Sequence, residues 1–167
     1  MSEEFGRDAL DEELDDASVA DKYLTFILGN DEYGINIGFV TEIIGIVPIT
    51  FVPDLPPFVK GIVNLRGQMI PVIDVRMRFM KEPLAYNDRT CIIVIQIRDV
   101  PVGFIVDSVA ACEEIPPDSV IPPPPSKGYG QQKYVKGIGR MNEKIVLLLD
   151  CEKLINEDMG IAVDGAA

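Results

Sequence analysis

Phe58-Val59-Lys60-Gly61-Ile62 recurs as Tyr134-Val135-Lys136-Gly137-Ile138, 76 residues further along the chain. Continued without a gap, the same offset sets Ile70 on Val146, Val72 on Leu148 and Asp74 on Asp150. Upstream of each copy an offset of 69 sets Gly34 on Gly103, Val40 on Val109, and Val52-Pro53 on Ile121-Pro122. Each half therefore reads as a hairpin, a Pro-marked loop, an FVKGI or YVKGI strand, a turn, and an apolar strand ending in Asp. The fold class is all-β, as two related small β-barrels at about 22–82 and 88–155. Each is near the size at which a lone core becomes marginal, so the two are expected to share apolar surface.

Working outward, Tyr23–Leu28 is aromatic and β-branched, Gly29-Asn30-Asp31-Glu32 is turn chemistry, and Tyr33–Ile37 returns, which predicts a hairpin. Gly38–Ile43 reads as a helical turn or a strand entry. Ile46–Val52 is β-rich but holds Pro48, which suits an edge or a bulge. Phe58–Val63 and Met69–Asp74 flank a tight turn, Asn64-Leu65-Arg66-Gly67, and a short helix is expected over 75–80. Glu82–Asp88 is polar and marks the boundary between the halves. Cys91–Ile97 (CIIVIQI) is almost continuously apolar, as a strand buried on both faces would be. Val102–Val106, Ala110–Ile115, Lys136–Arg140 and Ile145–Leu149 complete the strands, and Cys151–Ile155 reads as a closing helix. Six prolines between Pro116 and Pro125 bar a regular ladder there.

Charge is partitioned along the chain. The 167 residues carry 27 Asp+Glu against 15 Lys+Arg, a net of −12. Residues 1–21 hold nine of the acids and a single base, Arg7, and residues 157–167 hold three acids and no base. The stretch 22–156 is left with a net of −1. Residues 1–21 and 156–167 thus read as solvated tails around one domain at 22–155. No histidine is present, which removes Ser-His-Asp and Cys-His catalysis and every His-containing zinc site. The acidic balance argues against nucleic acid or an anionic membrane as partner. No apolar run approaches the roughly 20 residues that span a bilayer, and the acidic start is unlike a signal peptide. Cys91, Cys112 and Cys151 are widely spaced with no CxxC pair, as three buried small hydrophobes in a reducing compartment would be.

These residues resemble the CheW family of bacterial chemotaxis coupling proteins. The matching stretches are YLTFILGNDEYGINI (23–37), VTEI (40–43), ITFVPDLPPFVKGIVNLRG (49–67), IPVIDVRMRF (70–79) and YVKGIGRMNEKIVLLLD (134–150), in family order over about 135 residues. The resemblance implies two five-stranded SH3-like β-barrels around a common core. It implies a cytoplasmic adaptor without catalytic activity, metal or cofactor. The adaptor would join the regulatory domain of the histidine kinase CheA to the cytoplasmic tips of chemoreceptors in membrane-associated arrays, with no membrane insertion and no nucleic acid. The same domain occurs in CheA and CheV, but this chain has no room for a kinase core or a receiver domain.

By the same resemblance, the receptor-binding candidates are Arg66, Val40, Glu42, Ile37, Asn64, Gly67, Cys91 and Gly103, while kinase contacts stay unassigned. Arg66 leads, because a turn presents its side chain outward and a guanidinium offers five donors to a helix surface. Asn64 and Gly67 are expected to shape that turn. Val40 and Glu42 share a face if their segment is extended, an apolar spot beside a carboxylate that suits a helical hairpin docking in a groove. Ile37 and Val40 read equally as core, and for Cys91 and Gly103 the core reading comes first. The competing reading is a small β-barrel hydrolase or ligand-binding protein using the strand-end carboxylates Asp74, Asp107 and Asp150, in the manner of paired acid catalysts or magnesium ligands. Capping of the helices at 75–80 and 151–155 accounts for Asp74 and Asp150 more simply.

Overall fold

The computed structural model of the chain describes residues 20–123, 134–141 and 143–155. The acidic N-terminal tail as far as residue 19, the end of the proline run with the residues after it (124–133), residue 142 and the C-terminal tail lie outside the described residues. Eleven strands are present among them: β1 (Lys22–Leu28), β2 (Asp31–Asn36), β3 (Val40–Gly45), β4 (Val59–Leu65), β5 (Gln68–Asp74), β6 (Cys91–Ile97), β7 (Val100–Val106), β8 (Ser108–Glu114), β9 (Val120–Ile121), β10 (Val135–Met141) and β11 (Lys144–Leu149). Two short helices, α1 (Val75–Arg78) and α2 (Cys151–Ile155), follow β5 and β11. The protein is therefore all-β with short helices, in two sheets of order β8-β1-β2-β11-β10-β9 and β3-β6-β7-β5-β4.

Local chemistry accounts for most of these elements. In the β4–β5 hairpin, Leu65 pairs with Gln68, and Arg66 and Gly67 between them both take positive φ (52° and 84°), as a primed two-residue turn requires. Arg98 and Asp99 (51° and 66°) turn β6 into β7 in the same way. Asp74 caps α1 by accepting from the Met77 amide, and Asp150 caps α2 by accepting from the Lys153 amide. The segment Ile37–Phe39 forms a single 3-10 turn before β3 begins, so both readings of Gly38–Ile43 are used in succession. Ile46–Val52 forms no strand; Thr50 alone makes an isolated bridge to Ile62. A two-residue strand, β9, does pair with β10 inside the proline-rich stretch.

The strand grouping departs from the halves 22–82 and 88–155 read from the sequence. The repeat itself is real in three dimensions: Asp74 donates its amide to the Phe58 carbonyl and Asp150 donates its amide to the Tyr134 carbonyl, both at 2.8 Å. Each copy also carries a bulge at its VKG segment. Yet β5 runs parallel to β7, with Val72 opposite Gly103, while β11 runs parallel to β2, with Leu148 opposite Gly34. Each sheet thus joins a hairpin from one half to a hairpin from the other. Sequence order cannot reveal this exchange, because both pairings satisfy the same hydrophobic pattern.

The exchange builds three apolar layers. Val63, Ile70, Val72, Ile92, Val94 and Ile105 line the inner side of the second sheet, and Tyr23, Ile115, Val146 and Leu148 that of the first. Between the sheets lies the largest cluster, to which both sheets and both helices contribute, among them Phe26, Tyr33, Ile93, Phe104, Phe79, Tyr134 and Leu154. Alternate residues of β6 face the second-sheet layer and the shared layer, so CIIVIQI is buried on both faces as its composition required. At about 1.5–3 kcal/mol for each fully buried large side chain, the shared layer is the dominant stabilising term. Arg78 sits at its edge, 4.1 Å above the Phe58 ring and 5.0 Å from the Tyr134 ring, and donates to the Leu154 carbonyl. Those two rings are equivalent positions of the repeat.

Candidate functional site

The leading candidate, Arg66, projects from the β4–β5 turn with 69% of its side chain exposed and forms an ion pair with Glu42 on β3. Asn64 accepts from the Gly67 amide at 2.9 Å, so Asn64 and Gly67 hold the turn that presents the guanidinium. Two of the candidates, 24 residues apart in sequence, are thereby brought into one charged feature. A bulge in the β3–β6 pairing between Val40 and Glu42 separates the faces of these two residues. Val40 is buried and packs in the shared layer, whereas Glu42 reaches the surface.

The same layer holds Ile37, which is fully buried. Ile37 and Val40 therefore anchor the start of β3 and offer no surface to a partner. Gly103 is likewise internal, where an added Cβ would lie 2.7 Å from Ile92 and 2.8 Å from Val72. Its place is a close approach of β7 to β5 and β6. Cys91 is different: it is half-buried and lines an open groove of about 460 Å³. Ile43, Ile44 and Gly45 of β3 form one wall, Asp88, Arg89, Thr90 and Cys91 another, and Ser108, Val109 and Ala110 of β8 a third. Burial pushes the Cys91 thiol above its ordinary value, so it lines the groove as a neutral apolar group.

Apart from Cys91, none of these groove residues was singled out from the sequence. β3 is far from the other two segments in the chain, and its pairing with β6 brings Gly45 to Cys91, while the β6–β7 hairpin brings Val106, just ahead of β8, beside Cys91. A signal was nonetheless available: the repeat sets Val40 on Val109, and the strands that carry these positions, β3 and β8, supply two of the walls. Glu42 immediately precedes the groove-lining residues of β3, so one strand carries both the partner of Arg66 and a wall of the groove.

The strand-end aspartates are engaged in structural bonds. Asp74 is buried and accepts from the Tyr86 hydroxyl at 2.8 Å in addition to its capping bond. Asp107 accepts from Arg76 Nε at 3.0 Å and from the Gly29 amide at 2.8 Å. Asp74 and Asp107 do share the lining of one cavity, but its volume is about 10 Å³, room for about one water. Asp150 caps α2 elsewhere. Among the described residues no cluster of carboxylates and cysteines is arranged to hold a metal ion. No described helix is long and apolar enough to cross a membrane.

Comparison with known proteins agrees with this geometry. Residues 22–159 match the model of the CheW-like domain. The chemotaxis protein CheW of Klebsiella aerogenes is 35% identical over 150 residues, covering 90% of each chain. A probable chemotaxis protein CheW of Rhizobium etli is 31% identical, covering 80% of this chain and 86% of that one. Among solved structures, the scaffolding protein TtCheW of Thermoanaerobacter tengcongensis superposes with a TM-score of 0.77 at 33% identity, covering 84% of this chain and 98% of that one. With its paired sheets, exchanged hairpins and Arg66 turn, the chain belongs to the CheW-like family of chemotaxis proteins.

Proposed function

We propose that this protein is a non-catalytic adaptor that couples chemoreceptors to the histidine kinase CheA in a chemosensory array, acting in the cytoplasm at the membrane-associated receptor tips. The observation that carries the reading is that β3 supplies both Glu42, paired with the exposed Arg66, and one wall of an open groove. The groove has apolar walls from Ile43, Ile44, Val109 and Ala110, which suit the apolar stripe of a helix. The exposed guanidinium paired with Glu42 on the same strand suits a carboxylate or a helix carbonyl on the same partner. In this reading the receptor's helical hairpin lies in the groove and exchanges its own acceptor for Glu42 at Arg66.

An adaptor also needs surface for its second partner. Met69 on β5 and Ile145 on β11 are 58% and 59% exposed. They are equivalent positions of the repeat, one in each sheet, and large exposed apolar side chains favour protein contact. They are the surfaces we assign to the regulatory domain of CheA and to other members of the array. Contacts of this size are individually weak and gain strength when several operate together in a lattice.

The test is binding of the full chain to a soluble receptor cytoplasmic fragment and, separately, to the CheA regulatory domain. Both are expected to bind at micromolar concentrations. Absence of binding to either at tens of micromolar would sink the adaptor reading.

A further inference from the structure

Two of the groove's three walls are tied to neighbouring residues of one short segment, Asp74–Arg76. On one side, the Tyr86 hydroxyl donates to Asp74 Oδ2 at 2.8 Å. Tyr86 is the inward-facing residue of the strap joining α1 to β6, whose residues 82–85 are all exposed. The strap then closes a tight turn, in which the Asn87 amide donates to Thr90 Oγ1 at 2.8 Å and the Arg89 amide donates to Asn87 Oδ1 at 2.7 Å. Asp88 to Cys91, which follow, form a groove wall. On the other side, Arg76 Nε donates to Asp107 Oδ1 at 3.0 Å. Asp107 directly precedes Ser108, Val109 and Ala110, which form the β8 wall. Arg76 also donates from Nη1 to the Glu82 carbonyl at 3.0 Å, so it holds the start of the strap as well as the β8 wall.

We propose that Asp74, Arg76 and Tyr86 form a bracket that fixes the 88–91 and β8 walls of the docking groove, making Arg76 and Tyr86 positioning residues for a helical partner that neither of them touches. The inference rests on the reading of the groove as the receptor site. The physical ground is shelter: the Arg76 and Asp107 side chains are 15% and 20% exposed, so their pair is screened less than a surface ion pair. Asp74 is nearly inaccessible to water. Without the bracket, the exposed strap loses its tie to Asp74, and the start of β8 keeps only its backbone pairing and the bond from the Gly29 amide to Asp107. An occupant would then have to order the walls as it docks, which weakens binding.

The experiment compares the full chain with Tyr86→Phe, Arg76→Gln and Arg76→Lys. Its readouts are affinity for a soluble receptor cytoplasmic fragment, affinity for the CheA regulatory domain, and residue-resolved amide exchange. Tyr86→Phe is expected to quicken exchange at Asn87–Cys91, and Arg76→Gln at Ser108–Ala110, with the rest of the chain unchanged. Both are expected to bind the receptor fragment about tenfold more weakly, the factor that one sheltered hydrogen bond is worth, with kinase-domain affinity intact. Arg76→Lys keeps a cation beside Asp107 but loses the fork to Glu82, and is expected to fall between wild type and Arg76→Gln. Receptor affinity equal to wild type in both Tyr86→Phe and Arg76→Gln overturns the bracket while leaving the adaptor reading standing. So does a parallel loss of both affinities with exchange quickened throughout. If the unaltered chain itself fails to bind the fragment, the receptor reading falls and the docking role of the bracket falls with it.

Discussion

The hairpins β4–β5 and β10–β11 are copies of one another, and they diverge in an instructive way. Both carry a VKG bulge, both return an amide from a strand-end aspartate to an aromatic carbonyl, and both end in a capped helical turn. They part at the connecting turn, Asn64-Leu65-Arg66-Gly67 in one and Arg140-Met141-Asn142-Glu143 in the other. They part again after the helix, where Arg78 occupies the place of Leu154. The shared features hold strands together; the differences supply an exposed cation in one case and a buried one in the other. Repetition thus preserved the scaffold, and the copy that diverged at its turn acquired the surface on which the adaptor reading rests.

The largest effect that would sharpen this comparison is at Gly61 and Gly137. Gly61 has φ 149°, and an added Cβ would lie 2.1 Å from the Thr50 carbonyl oxygen, a backbone atom with little freedom to withdraw. At Gly137 the nearest obstacle is a Val120 methyl at 2.8 Å, on the two-residue strand β9. Gly61→Ala is expected to lose about 3 kcal/mol or more and Gly137→Ala about 1 kcal/mol, measured by urea unfolding. Equal losses would mean that the two copies are braced alike.

Next comes Arg78. Arg78→Ala removes a guanidinium stacked between two rings and is expected to cost about 3 kcal/mol. Arg78→Leu, which copies the residue of the other half, is expected to stay within about 1 kcal/mol of wild type, since buried ions are often replaceable by apolar groups of similar size. If Arg78→Leu is as damaging as Arg78→Ala, the charge itself is required at the junction.

At the turn the order reverses, with little effect on stability and a clear one on binding. Arg66→Ala is expected to change stability by less than about 0.5 kcal/mol, because the pair with Glu42 is exposed at the arginine. Its receptor-fragment affinity is expected to fall about tenfold while kinase-domain binding persists. Arg140→Ala, at the equivalent hairpin, is expected to leave receptor binding unchanged in the same titration.

The smallest effect is on pH dependence. Burial pushes the Tyr86 phenol well above its ordinary value, assisted by its bond to Asp74, and burial does the same to Tyr33 beside Asp31. A raised phenol contributes stability that is fully present below the unfolded value of about 10 and is lost as pH rises toward the higher folded value. Urea midpoints are therefore expected to decline above about pH 10, and less steeply in Tyr86→Phe. An identical decline in the variant would show that Tyr86 is not sheltered by the strap.

The β-class, the hairpins, the doubly buried β6, the aspartate caps and the turn that presents Arg66 were legible in the chain itself. Each follows from local chemistry: alternation, turn residues with positive φ, and side chains that reach their own backbone. Three things were decided by tertiary structure alone. The hairpins exchange between sheets, because two copies of one pattern satisfy either partner equally. A single bulge after Val40 sends Val40 inward and leaves Glu42 outside to meet Arg66, which no period-2 reading could register. The groove exists because β3, residues 88–91 and β8 converge from opposite halves of the sequence, and the segments leading into two of its walls are bonded to Asp74 and Arg76 across 12 and 31 residues.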